Sequence, residues 1–155
     1  MAAADGVGLS LPNRALLFGA ISMEQMLQMA QMADACPLFG SVWVGDSIIA
    51  KPRPEAVVLL SAIAATTRRV RLGPACMASF NLRHPIIFAA EWATLDVLSG
   101  GRTILAACIG GPTGPGSGGG AYDIELRAMG FEFKQRVGRM EEGIAILRRL
   151  WTEDR

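Results

Sequence analysis

Three short stretches of this chain carry residue types that chemistry uses: Asp46-Ser47, Ala75-Cys76 and Ile109-Gly110-Gly111. Each follows a hydrophobic run of strand character, and α/β folds collect their ligands at the C-terminal ends of strands. Asp46 is the only carboxylate at such an end. Beside the Ser47 hydroxyl it can hold a proton or orient a polar substrate. A purely structural role, as a helix cap or as partner of Arg53 or Arg71, stays open on these residues alone. Cys76 as a nucleophile needs an activating base, and the sequence offers none beside it. Gly110 and Gly111 let backbone approach a ligand without a Cβ in the way, with a plain turn as the alternative.

Other patterns carry less. Gly114-x-Gly116-x-x-Gly119 matches the dinucleotide fingerprint in form only. It sits in a glycine run, contains Pro115 and does not lead straight into a helix, and no lysine completes a phosphate loop. His84, the single histidine, precedes Pro85 at a helix start, which reads as a structural or surface position. With Cys36, Cys76 and Cys108 scattered, no metal-ligand spacing arises, and the expectation is no metal and three free, buried thiols in a reducing compartment.

The elements that must position these residues alternate. Val7–Leu11 reads as a strand stopped by Pro12-Asn13. Ser22 and Gln25 form a capping box opening a helix with Met23, Met26, Leu27, Ala30 and Ala33 on one face. Phe39–Gly45 is a second strand. Pro54 suits the first position of a helix with Glu55 in its first turn, a stripe of Val57, Leu60 and Ala64, and Arg68 and Arg69 complementing its C-terminal end. Val70–Leu72 begins a third strand that continues past Gly73-Pro74. His84-Pro85 opens a helix that Gly100 ends. The apolar run Ile104–Ile109 predicts a fourth strand covered on both faces. A flexible glycine-rich loop at 112–120 precedes a final helix bearing Val137, Met140, Ile144, Leu147 and Trp151. The order βα, repeated about four times, predicts a parallel sheet in one domain spanning 1–155.

The segment Leu95-Asp96-Val97-Leu98-Ser99-Gly100-Gly101-Arg102 resembles the LD-x-LSGGR stretch of the luciferase-like monooxygenases. Ser41–Asp46, Ala64–Gly73 and Arg139–Trp151 resemble further family segments in the family's order. The resemblance implies a (β/α)8 TIM-barrel fold, here cut to about its first four βα units. It also implies FMN or a deazaflavin (coenzyme F420) as cofactor, and hydride transfer or oxygen activation on a small organic substrate. By the same resemblance Asp46 and Ser47 face the substrate side, with Ser47 where family members often carry histidine. Ala75 and Cys76 back the ring, where the family often has a non-prolyl cis peptide or bulge, and Gly110 and Gly111 lie beside the ring and ribityl chain. The alternative is a half-barrel that assembles without turning anything over.

Composition sets the outer bounds. Half the residues are hydrophobic (51%) and 19% are charged, which describes a core-rich globular chain rather than a disordered one. A net charge of +1 gives no long-range attraction to nucleic acid or anionic membrane. The N-terminal residues lack a signal-peptide pattern and no run reaches membrane-span length, so the expectation is cytoplasmic. An open half-barrel exposes unpaired edges, so a homo-oligomer or a missing C-terminal half is expected.

Overall fold

The computed structural model describes residues 6–111 and 122–153, so the glycine-rich stretch at 112–120 lies outside the described residues. Strands β1 (Val7–Ser10), β2 (Phe39–Val44) and β3 (Arg71–Pro74) form one parallel sheet in that order. The register sets Val42 beside Leu9 on one side and Leu72 on the other. Val42, Val44 and Leu72 are fully buried, because helices α1 (Met23–Ala35), α2 (Ala56–Thr66) and α3 (Pro85–Ser99) supply one continuous core with them.

The helices start and stop as local chemistry requires. Ser22 Oγ accepts the Gln25 amide at 3.1 Å while Gln25 Oε1 accepts the Ser22 amide at 2.8 Å, a complete capping box. Along α1, Met26, Ala30 and Ala33 are buried, whereas Met23 turns to solvent. Glu55 is not in the first turn of α2. It caps that helix, its Oε2 accepting the Val58 amide at 2.8 Å. Pro85 begins α3, and Gly100 ends it in the left-handed conformation. A seven-residue helix, α4 (Tyr122–Ala128), precedes α5 (Arg136–Thr152) and is absent from the sequence-based expectation. In α5 Leu147 is buried and Met140 and Ile144 pack on the core, while Val137 and Trp151 lie at its rim.

The run Ile104–Ile109 departs from expectation. It lies alongside β3 but touches it as a strand only at Leu72–Thr103 and Met77–Ala107. The Ile104 amide donates to Leu72 O at 2.9 Å and the Met77 amide to Ala106 O at 2.8 Å. Between these points the ladder is interrupted. Pro74 has no amide to give. A Cβ on Gly73 would stand 2.0 Å from the Ile104 carbonyl oxygen, so the close approach there requires glycine. The run is half-exposed rather than covered on both faces. Among the described residues no strand pairs with its far side. The described chain therefore has three strands and a strand-like edge, not four complete βα units.

A polar network closes the end of the sheet where strands begin. Arg102 donates to Ala64 O, Thr67 O, Thr67 Oγ1, Val70 O and Ser99 O at 2.6–3.1 Å, joining the ends of α2 and α3 to the entry of β3. Asp34 accepts the amides of Arg68, Arg69 and Val70 at 2.7–2.8 Å. Arg69 donates to Ala33 O, Asp34 O, Cys36 O and Phe39 O, so it serves the end of α1, while Arg68 serves the end of α2.

Two expected outcomes follow from this network. Arg102→Met leaves several carbonyls without a donor and should lower unfolding free energy by about 2–4 kcal/mol in urea titration. Arg102→Lys should recover little, because a point charge cannot reach both helix ends. Burial pushes the Asp34 carboxyl up, but the three amides outweigh it and hold the group below its ordinary value. A depressed folded pKa stabilises above the unfolded value of about 3.9 and loses that stabilisation as pH falls through the folded value. The stability gap between wild type and Asp34→Asn should therefore be constant near neutrality and close under acid, as measured by urea titration at stepped pH.

Candidate functional site

Parallel strands put every strand exit at one end of the sheet, and there a cavity of about 690 Å³ opens. Asp46, Ser47, Ala75, Cys76, Gly110 and Gly111 all line it. Six positions spread over sixty-odd residues of sequence are thus brought together, because each lies just beyond a strand or strand-like run.

The exit of β2 is held from both sides. Asn13, buried after β1, donates Nδ2 to Gly45 O at 2.8 Å and accepts the Gly45 amide at 3.1 Å. Asp46 then reaches across to the segment after β3. Its carboxylate accepts the Ser79 amide at 2.7 Å and the Ser79 hydroxyl at 3.0 Å. The partners are therefore those of a cap on the 3-10 turn Ala78–Leu82, not Arg53 or Arg71. Burial raises the Asp46 pKa, against the two Ser79 bonds and the nearby Arg83 charge. Asp46 thus combines an anchoring bond with a carboxyl that holds its proton to higher pH than a solvated one.

Ser47 is engaged by the protein itself. Its hydroxyl donates to Glu125 Oε1 at 2.7 Å and accepts the Lys51 amide at 2.9 Å. The same Glu125 oxygen accepts the amides of Ile48, Ile49 and Ala50 at 2.8–2.9 Å. Glu125 is 1% exposed, and its other oxygen has no partner among the described residues.

Ala75 and Cys76 reach solvent at the exit of β3, and the peptide bonds of the described residues are all trans. Desolvation, with Cys108 and Asp46 alongside, pushes the Cys76 thiol up to about 12. A thiol so held is protonated at neutral pH and is a poor nucleophile. Cys36 and Cys108 are half-buried and, like Cys76, unpaired. Gly110 lacks a Cβ for a reason internal to the chain. An added Cβ would fall 2.1 Å from the Tyr122 ring, which packs on that face of the backbone. Burial raises the Tyr122 pKa, and its hydroxyl accepts from buried Asn81 at 3.5 Å. His84 is exposed at the start of α3. Among the described residues no group of three or more His, Cys, Asp or Glu could hold a metal, and no helix is long and apolar enough to cross a membrane.

Glu125 and Tyr122 are the site residues that sequence reasoning missed. Both sit on α4, whose seven residues are too few for a periodic signal. The available hint was an acidic residue between Ile124 and Leu126, at a position otherwise apolar.

Comparison with known proteins agrees with this fold. The model of the family described as luciferase-like monooxygenase matches residues 7–155. An F420-dependent glucose-6-phosphate dehydrogenase of Amycolatopsis mediterranei is 33% identical over 120 residues, covering 74% of this chain and 34% of that protein. The corresponding enzyme of Intrasporangium calvum is 34% identical over 125 residues, covering 76% and 35%. The chain thus spans about a third of the length of these curated relatives. The monooxygenase RslO1 of Streptomyces bottropensis superposes with a TM-score of 0.72 at 25% identity, over 96% of this chain and 44% of that one. The oxygenating constituent of 3,6-diketocamphane monooxygenase from Pseudomonas putida, solved with FMN, superposes with a TM-score of 0.73 at 18% identity, over 96% and 40%, and shares the fold. With a parallel sheet, the strand-exit cavity and a family match across nearly its whole length, the chain belongs to the luciferase-like monooxygenase family.

Proposed function

We propose that this chain forms the ring-side half of a deazaflavin- or flavin-dependent oxidoreductase site acting on a small organic molecule. The convergence of all three strand-exit segments on one cavity carries the reading. Its volume of about 690 Å³ lies within the usual range of small-molecule sites, about 300–1,000 Å³. Its lining fits a planar ring with polar edges. Ala75, Ala78, Ala107 and Met140 supply apolar surface, while Asp46 and the backbone at Gly110-Gly111 supply polar groups. The F420-dependent relatives favour a deazaflavin, and FMN, present in the diketocamphane enzyme, is the second candidate for the same place.

Bound there, such a cofactor supplies hydride transfer or, as a flavin, oxygen activation. The protein supplies position and proton control. Asp46 is the residue placed to hold or accept a proton at the cavity, since burial favours its neutral form. Ser47 shapes the turn after it rather than offering a free hydroxyl. Ala75 and Cys76 form surface behind the ring, and Gly110 and Gly111 bound its side. In barrels of this type the phosphate site commonly comes from loops after the last strands. The cavity at these strand exits is accordingly assigned to the ring, the aligned part of this chain covering about a third of the relatives' length. Among the described residues β1 and the run 104–109 are the edges of the sheet, which further strands or a second copy would cover.

Fluorescence titration tests this. The deazaflavin chromophore stripped of its phosphate-bearing tail should bind with an affinity comparable to that of whole F420. Asp46→Asn should weaken both by about tenfold, the equivalent of about 1.4 kcal/mol, with the melting temperature nearly unchanged. Binding of whole F420 alone would place the phosphate site in this chain. Binding of neither would remove the reading. A melting drop of several degrees with unchanged affinity would reduce Asp46 to a cap.

A further inference from the structure

We propose that Glu125 is the positioning residue of the site, its carboxylate acting as the built-in anion around which the turn after Asp46 is wound. One oxygen of Glu125 receives four donors from Ser47–Ala50, a hydroxyl and three successive amides, across 75 to 78 residues of sequence. Successive amides converging on one point make an anion nest, and nests elsewhere bind phosphate or other free anions. Here the chain fills the nest with its own side chain. Charge-assisted bonds of this kind are the strong ones, and a buried nest without its anion leaves several donors unpaired.

The consequence reaches Asp46 through one peptide bond. Ser47 is clamped between the Lys51 amide and Glu125, and Asp46 is drawn the other way onto Ser79. Glu125, the turn, Asp46 and Ser79 form a chain of contacts spanning the cavity wall from α4 to the segment after β3. The charges acting on Asp46 are those of Arg83 and Glu55, and Cys76 and Tyr122 are the titratable neighbours that feel it. Removing Glu125 therefore changes Asp46 by releasing its backbone. The inference names what positions Asp46 in the reading above, but its test needs no cofactor, so the two can fail separately.

The experiment compares wild type, Glu125→Gln and Glu125→Ala in the whole chain by amide hydrogen exchange and by NMR titration of the Asp46 carboxyl, with and without added formate. In Glu125→Ala the amides of residues 48–50 should exchange faster while those of α1 and β2 keep their protection. The Asp46 titration should move down toward the ordinary carboxylate value as water reaches it. Formate, a carboxylate small enough to enter the emptied nest, should restore both. Glu125→Gln, which keeps an acceptor and the side-chain volume, should show a partial effect of the same sign, and it carries the test if the alanine variant does not fold. Unchanged exchange at 48–50 would show that Glu125 does not hold the turn. Faster exchange with an unchanged Asp46 titration would show that the turn does not position Asp46, and loss that formate leaves unrestored would make Glu125 an ordinary packing residue. Any of these overturns the proposal.

Discussion

The structure depends on how backbone polar groups are satisfied where its strands begin. Helix ends leave carbonyls without partners and strand entries leave amides without partners, and burying them unpaired is costly. This chain answers with two opposite charges. Arg102 gathers carbonyls from the ends of α2 and α3 and from Val70. Asp34 gathers the three amides that lead into β3. The planar guanidinium suits divergent carbonyls, and a carboxylate with two oxygens suits successive amides. Together these fittings join the ends of α1, α2 and α3 to the entry of β3.

The opposite end of the sheet uses the same chemistry for another purpose. Asp46 and Glu125 again gather amides, but at a cavity rather than in a packed joint. Burial that leaves a carboxylate fully bonded gives rigidity, and burial that leaves an oxygen unpaired gives reactivity or demand for a partner. Asp34 belongs to the first kind. Glu125, whose second oxygen has no partner among the described residues, belongs to the second, while Asp46 has both oxygens bonded to Ser79 yet is raised by burial at the cavity. Barrel folds divide stability and function between their two ends in this way.

The family resemblance in the sequence and the strand-exit cavity in the structure rest on different residues. The segment ending Ser99-Gly100-Gly101-Arg102 is a structural signature. Gly100 and Gly101 close α3 with positive φ, Asp96 accepts the Thr103 hydroxyl, and Arg102 ties the joint. None of these four residues lines the cavity. A family can thus be recognised from its joints while its chemistry sits elsewhere, so membership alone does not identify what the cavity takes.

The sequence by itself determined what is local. Period set α1, α2, α3 and α5, and the caps of α1 and α3 were also legible, whereas the cap of α2 proved to be Glu55. The strand exits followed from apolar runs ending in polar or glycine residues, and with them the six cavity positions. These features are encoded within about one or two helical turns of chain, where side-chain spacing and backbone preference act directly. Only the tertiary structure decided the rest. Gly73 and Pro74 interrupt the ladder to Ile104–Ile109, an effect of one segment on its neighbour that an apolar run cannot report. Asp46 chose Ser79 over Arg53 and Arg71, and Gly110 made room for the Tyr122 ring. Glu125 found its four donors 75 to 78 residues away. A buried carboxylate is tolerable only where the fold brings it donors, and that requirement is met in space rather than along the chain.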